Sequence, residues 1–314
     1  MKTSVAVCTY NGEQYIAEQL WSIISQTQSV DEIVICDDRS SDGTIPVINE
    51  IQANTSIPVR LYINEVNLGC RANFQKAIGL CTGDIIFLSD QDDIWVPDKV
   101  EKIIKWFESN NDKEVVFTDG TFIDAAGKPY AQNASLYSSY GMTKRAMKWM
   151  RKGYALELFL KNNKATGATM AFRKEILDGI NLDCSSEKDT PYHDAQICLY
   201  AIQRNSLGCM PECLISYRIH KGQDCGVHSV FSPLKTDNVL SPLSDYMVLG
   251  RYITDEKIMS RYQFISSRQE WVLSGSVLSV IKRFKCYISH YSTLGIMCFV
   301  RDIALCVKFT FFKH

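Results

Sequence analysis

The 314-residue chain is short of the features that mark several protein classes. It has no apolar run approaching the ~18–20 residues that a membrane-spanning helix needs. The uncharged stretch from Cys286 to Val300 is fifteen residues long and contains His290. It has no CxxC pair, and Cys209 and Cys213 form an isolated CxxxC without a matching second half, which argues against a zinc site. The opening Met1–Tyr10 is too short in its apolar part for a signal peptide, and Tyr10-Asn11-Gly12 turns the chain at once. Neither sign of charge prevails: 34 Lys/Arg face 35 Asp/Glu, so nothing calls for nucleic acid as a partner. No internal repeat or low-complexity tract is visible. The twelve cysteines do not read as a disulfide framework, because Cys8, Cys36, Cys81 and Cys198 sit in apolar runs where a thiol is a small hydrophobe. Free thiols point to a reducing cytosol.

What is present is an alternation of strands and helices. Strands are expected at Ser4–Thr9, Glu32–Cys36, Val59–Ile63, Ile85–Leu88 and Val115–Thr118. A capping-box-like Asn11-Gly12-Glu13-Gln14 opens a helix with Ile16, Leu20, Ile23 and Ile24 on one face. Further helices are expected at Pro46–Ala53, Ala72–Leu80 and from Pro97 through Phe107. This pattern predicts an α/β fold, a mostly parallel sheet with helices on both faces, in which ligands sit at the carboxyl ends of the strands. Farther on, Gly120–Ser139 reads as loops, Thr143–Leu160 as one helix, Ala168–Phe172 as a strand, Pro191–Ile202 as a helix and Leu214–Ile219 as a strand. Residues 226–244 read as a loop and linker, and 245–314 as a helical C-terminal region.

The polar clusters fall at the strand ends. Asp90, Asp92 and Asp93 close the fourth strand within four residues, and such crowding calls for a cation. A hard divalent ion, Mg²⁺ or Mn²⁺, that also holds a ligand's phosphates suits these oxygens. Asp37 and Asp38 end the second strand, where a carboxylate could accept from a base N–H or a ribose hydroxyl. Asp42 is read as a helix cap. Arg71, at a helix start, could meet phosphate or pair with an acid of the Asp90 cluster. Thr166-Gly167 leads into a strand, and the glycine would permit close backbone approach. His193-Asp194 is the candidate for acid–base chemistry, although an acid opening a helix also favours its dipole.

Taken together, Val5-Ala6-Val7-Cys8-Thr9-Tyr10-Asn11-Gly12, Asp37 to Thr44, Asn67-Leu68-Gly69 and Ser89-Asp90-Gln91-Asp92-Asp93-Ile94-Trp95 resemble the inverting nucleotide-sugar glycosyltransferases of family 2, which have the GT-A (Rossmann-like) fold. The resemblance covers about residues 3–225 and implies a GT-A domain over 1–225. It implies Asp90 and Asp92 as the Asp-X-Asp metal motif, with His220 completing the metal shell as in some members. It implies Thr9, Tyr10, Asn11 and Asp38 as nucleotide contacts and Asp194 as catalytic base; together with Arg71, Asp90, Gln91, Thr166 and Gly167 these make up the expected nucleotide-sugar site. Arg39 stands where many members have glycine. No Gln-X-X-Arg-Trp motif occurs, so a processive synthase is not expected. The Ser-Asp-Gln-Asp-Asp-Ile-Trp variant resembles bacterial surface-polysaccharide rhamnosyltransferases, suggesting dTDP-L-rhamnose as donor, with UDP-hexoses and UDP-N-acetylhexosamines as alternatives. The implied acceptor is a glycan or a lipid-diphosphate-linked oligosaccharide.

Two other classes share part of this pattern. Haloacid-dehalogenase-like phosphatases also end a strand in aspartates, but near the start of the domain and with Thr or Val following. A catalytically dead nucleotide-sugar-binding module would not require Asp38, Asp90, Asp92 and Asp194 together. Finally, residues 251–314 hold ten Lys/Arg against four Asp/Glu, while residues 1–250 are net −7. The apolar, basic end from 279 to 314 is expected to lie on an anionic membrane surface, which would make the protein peripheral on the cytoplasmic face of the inner membrane. Packing on the domain or an oligomer contact is the alternative.

Overall fold

All seven residues of the first strand, β1 (Thr3–Thr9), are buried, and so are all six of β2 (Glu32–Asp37) and all five of β4 (Ile85–Ser89). A strand can be apolar on both sides only when helices cover both faces of its sheet. The computed structural model describes residues 1–159, 163–184, 191–221, 223, 276–285, 299–300, 302–304 and 306–307. In it, Val5, Val7, Ile33, Ile35, Ile85 and Phe87 point to one face, with Ile16, Leu20 and Ile23 of α1 (Ile16–Ile24) and Ile103 and Phe107 of α4 (Lys99–Ser109). The alternate residues Ala6, Cys8, Val34, Cys36, Ile86 and Leu88 point to the other, with Phe74 and Ile78 of α3 (Cys70–Leu80) and Ile197 and Ala201 of α8 (His193–Gln203). Cys8, Cys36, Cys81 and Cys198 are free and buried, as expected for thiols acting as hydrophobes.

Among the described residues the strands form one sheet of order β3-β2-β1-β4-β8-β6-β9-β5, with β7 on β6. Here β3 is Val59–Ile63, β5 Ile94–Trp95, β6 Val115–Ile123, β7 Pro129–Ser135, β8 Met170–Arg173 and β9 Leu207–Arg218. β1 pairs in parallel with β2 and β4, and β2 with β3. β8 is antiparallel to both β4 and β6, and β9 is parallel to β6, so β1 to β4, β6 and β9 all run one way. The sheet is mostly parallel, as the alternation predicts.

Several local expectations are corrected. α1 starts at Ile16 with no side-chain cap, because Asn11 has φ 48° and its side chain is engaged elsewhere. Gly120–Ser139 is not loop: β6 runs on to Ile123, β7 returns as a hairpin partner, and a short α5 (Leu136–Ser139) follows. β7 reads PYAQNAS and is largely exposed, so no alternation announces it; its pairing with β6 makes it a strand. The helix expected over Thr143–Leu160 is broken. Thr143 caps α6 (Lys144–Trp149), a π-helical turn spans Met150–Tyr154, and α7 is Ala155–Phe159. Gly153, with φ 87°, makes the break in a conformation that only glycine adopts freely. The strand expected at Ala168–Phe172 starts at Met170, after a 3₁₀ turn over Gly167–Thr169. β9 begins seven residues before the expected Leu214 because its first part pairs with β6.

The chain divides into two units, Met1–Leu234 and Lys235–His314. In the second, Val277–Ile281 is a helix. The expected linker 226–244 lies outside the described residues, as does most of the expected C-terminal helical region. No helix among the described residues is long and apolar enough to cross a membrane.

Candidate active site

The register of β1, β2 and β4 brings three strand ends together. Thr9 lies opposite Asp37, and Val7 opposite Ser89, so the next residues of each strand share one edge. A cleft of about 1350 Å³ opens there. Of the candidate residues, Thr9, Tyr10, Asn11, Asp38, Asp90, Gln91, Asp92 and His220 line it. Arg71, Thr166, Gly167 and Asp194 do not line it and form a neighbouring group. Asp194 is close enough that its charge raises the Asp90 carboxyl.

The floor beside β2 is a hydrogen-bonded frame. The buried Asp38 carboxylate accepts from Asn64 Nδ2 at 2.8 Å, Leu68 N at 2.7 Å and Gly69 N at 2.8 Å. Asn73 in turn holds Asn64 and the Cys36 carbonyl. Asp38 therefore orders the Asn67-Leu68-Gly69 turn as well as facing the cleft. Asn11 accepts from Ser41 N at 2.9 Å and donates its backbone N–H to Ser40 Oγ at 2.8 Å, which ties the β1 and β2 loops together. Asp42 accepts from Thr44 N at the start of α2 (Thr44–Ala53), one residue ahead of the formal cap Gly43. Arg39 has φ 67°, a conformation that favours glycine. Gln91 straps the acidic loop to β1: its Oε1 accepts from Thr9 Oγ1 at 2.7 Å and Tyr10 N at 2.8 Å, and its Nε2 donates to Tyr10 O.

In the acidic loop, Asp92 Oδ2 stands 2.8 Å from His220 Nε2, although 128 residues separate them. Burial first, then the Asp92 and Asp194 charges, raises the Asp90 carboxyl; burial and the Asp92 and Asp90 charges raise Asp93. Asp93 plays a different part from its neighbours. Its Oδ1 accepts from Arg218 N at 3.0 Å, and its buried Oδ2 has no hydrogen-bond partner among the described residues. Among the described residues no group of three or more His, Cys, Asp or Glu side chains is arranged to hold a metal alone.

Two buried cations behind this loop were not singled out from the sequence. Lys99 is fully buried, donates to Ala168 O at 2.9 Å and lies 3.8 Å from the Trp95 ring centre. Burial pulls its amine down to about 7, against the opposing pull of the Asp93 and Asp90 charges. The signal available was its place in line with Val100, Ile103, Ile104 and Phe107 on the buried face of α4. Arg218 is 1% exposed. Its Nε donates to Asp92 O at 2.7 Å, its Nη1 to Asp124 O at 3.3 Å, and its Nη2 pairs with Glu18. The Tyr15 ring lies 4.7 Å from the guanidinium and 4.7 Å from the His220 ring. Arg218 and His220 thus grip Asp92 from one strand end, one by its carbonyl and one by its carboxylate. Arg218→Met should cost about 2–3 kcal/mol, since it leaves the Asp92 and Asp124 carbonyls without their donor, while Glu18 is exposed and can turn to water. The expected drop in Tm is roughly 5–10 °C; an unchanged melting curve would show that the loop does not depend on this side chain.

The neighbouring group surrounds Asp194. Its Oδ1 accepts from Ala195 N at 2.7 Å, and the Gly167 amide and the Asn163 side chain also donate to the carboxylate. Burial outweighs these bonds and raises the carboxyl to about 6. A Cβ on Gly167 would meet His193 Nε2 at 3.2 Å, so the glycine is needed for close packing beside the acid. His193 is buried, stacks on Phe74 with ring centres 4.1 Å apart, and among the described residues has no hydrogen-bond partner on either ring nitrogen. Burial, aided by Arg71, lowers it to about 3, so it is neutral and a poor proton acceptor at ordinary pH. Arg71 lies 4.4 Å from the Tyr192 ring, and its buried Nε has no hydrogen-bond partner among the described residues. It makes no ion pair with the Asp90 cluster. Thr166 engages Thr169 through its carbonyl.

A mostly parallel sheet whose strand ends carry these carboxylates defines a nucleotide-sugar-transferase type of fold, GT-A. The chain belongs to glycosyl transferase family 2, whose family model matches residues 4–180. A glycosyltransferase of Haemophilus influenzae, itself uncharacterized, is 30% identical over 230 residues, covering 72% of this chain and 68% of that protein. Two further relatives, from Bacillus subtilis and Nostoc, are spanned over only 45% and 34% of their lengths. Among solved structures, Staphylococcus aureus TarS 1–349 in complex with UDP-GlcNAc has a TM-score of 0.57 at 14% identity, covering 98% of this chain and 89% of that one. The mannosyltransferase PcManGT of Pyrobaculum calidifontis, in complex with GDP-Man and Mn²⁺, has a TM-score of 0.54 at 14% identity, covering 100% of this chain and 88% of that one.

Proposed function

We propose that the protein is an inverting, metal-dependent glycosyltransferase that moves a sugar from a nucleotide-diphosphate donor to a hydroxyl of a glycan or lipid-diphosphate-linked oligosaccharide. The observation that carries this reading is the pairing of Asp92 with His220 at the mouth of a cleft that also holds Asp38 and Asp90, with the Asp194 carboxylate beside it. Carboxylate oxygens and an imidazole suit Mn²⁺ or Mg²⁺, and with so few protein donors the donor's diphosphate would complete the shell. When bound, the ion neutralises the charge that builds on the leaving diphosphate. Asp90, Asp92 and His220 would hold it, Asp38 and the Thr9-Tyr10-Asn11 segment would face the nucleoside with Gln91 bracing the acidic loop, and Arg71, Thr166 and Gly167, beside the cleft with Asp194, would meet the phosphates and the transferred sugar. Asp194 takes the proton from the acceptor hydroxyl, since a single displacement with inversion needs one base and no second catalytic carboxylate.

Donor dTDP-L-rhamnose remains our first choice, on the Ser89–Trp95 motif, with surface-polysaccharide synthesis as the setting. The test is a donor-hydrolysis screen with Mn²⁺ over dTDP-rhamnose, UDP-glucose, UDP-galactose, UDP-GlcNAc and GDP-mannose. Release of nucleotide from one donor well above the rest is expected. Release from none, with phosphate freed from simple phosphomonoesters, would replace the reading with a phosphatase. In the same assay His220→Ala should raise the half-saturating Mn²⁺ concentration by about tenfold, within the range seen for losing support of a metal site. An unchanged cation requirement would remove His220 from the metal shell.

A further inference from the structure

From Ala125 to Leu156 the chain contains no Asp or Glu and six Lys/Arg, within a 1–250 segment that is otherwise strongly acidic. Five of the six, Lys144, Arg145, Lys148, Arg151 and Lys152, lie on α6 and the π-helical turn that continues it, and all five are exposed. Among the described residues none of them has an ion-pair partner; the salt bridges present involve other residues. The opposite side of the same helix is anchored, because Ala146, Met147 and Met150 are buried in the core. The basic side also carries two amphipathic aromatics. Trp149 is half-buried under Arg145, whose guanidinium lies 5.1 Å from its ring, and the exposed Tyr154 is 6.1 Å from Trp149.

We propose that this face, Lys144 to Tyr154, docks the enzyme on an anionic phospholipid surface. Lysines and arginines without ion-pair partners, on a helix whose inner side is held in the core, are attracted to a negatively charged leaflet, and Trp and Tyr settle at headgroup level with the ring in the apolar region and the polar tip in water. A soluble polyanion would use the charges alone, and a nucleic acid would stack its bases on open ring faces, whereas the half-buried Trp149 ring is already covered by the Arg145 guanidinium. Placement favours the same partner. α7 follows directly and packs on α8, and α8 opens with His193-Asp194. Asn163, nine residues beyond Tyr154, donates to Asp194. An acceptor carried in the bilayer would thus be offered on the side of the base; this last step rests on the reading under Proposed function, whereas docking itself does not. The surface belongs to the Met1–Leu234 unit.

The test uses the full chain and sedimentation with phosphatidylcholine vesicles, with and without about 30% phosphatidylglycerol to supply the negative potential. The wild-type protein should sediment with the anionic vesicles only, and release as salt approaches about 1 M, where the screening length is ~3 Å. Lys144→Gln/Lys148→Gln/Arg151→Gln/Lys152→Gln should lower the bound fraction by about tenfold or more, with unchanged circular dichroism and unchanged hydrolysis of soluble donor. Lys282→Gln/Arg283→Gln/Lys285→Gln in the tail serves as the comparison and should reduce binding less. Equal binding by the wild type and the helix variant would overturn the proposal. So would equal binding to neutral and anionic vesicles, or capture of a polyanionic oligonucleotide in place of vesicles. Docking without hydrolysis of any donor would leave the surface standing and remove the enzymatic reading.

Discussion

Asp92→Ala is expected to reduce sugar transfer by about 10³-fold or more, on the scale of losing a central electrostatic stabiliser of the transition state. The substitution removes a carboxylate proposed to hold the cation and also the partner of His220. It should leave the loop in place, because Arg218 holds Asp92 through its main-chain carbonyl and Asp93 accepts from the Arg218 amide. Loss of rate should therefore come with loss of nucleotide affinity and almost no change in Tm. Excess EDTA should have the same effect on the wild-type enzyme. Full activity in EDTA would refute metal dependence, and a collapsed melting curve for Asp92→Ala would make its effect structural.

The second large effect is expected at Asp194. Asp194→Asn keeps the size of the side chain and an acceptor for the Ala195 amide, so donor binding should persist while turnover falls by about 10²-fold or more. The pH profile gives an independent check. A base works deprotonated, and burial raises this carboxyl to about 6, so kcat/KM should fall as pH drops through that region. The asparagine variant should lack that acid limb. His193 does not compete for the role, because burial and the nearby Arg71 hold it near 3. Turnover unchanged in Asp194→Asn would move the base elsewhere, and Asp189, outside the described residues, would be the next to replace.

The first half of the chain is legible because its strands are buried on both faces. Continuous apolar runs such as Ile85–Leu88 and Val5–Cys8, each ending in polar residues, mark strand and strand end together. Elements stabilised mainly by a partner leave weaker marks. β7 is polar and exposed and owes its existence to β6, and the two-residue β5 owes its existence to β9. The helix break at Gly153 hides inside an otherwise helical pattern.

The local order of residues was enough to determine that Asp38 and Asp90 would stand at strand carboxyl ends, since a parallel α/β alternation allows little else. Only the tertiary structure decided what surrounds them. Asp92 meets His220 across 128 residues, Arg218 enters behind the loop from the end of β9, and Lys99 lies buried behind Asp90 and Asp93. The physical reason is that the energy of a buried charge depends on what the whole fold places within a few ångströms of it. Spacing along the chain carries the pattern of burial, which repeats every two or 3.6 residues. It does not carry the identity of a partner that arrives from another strand.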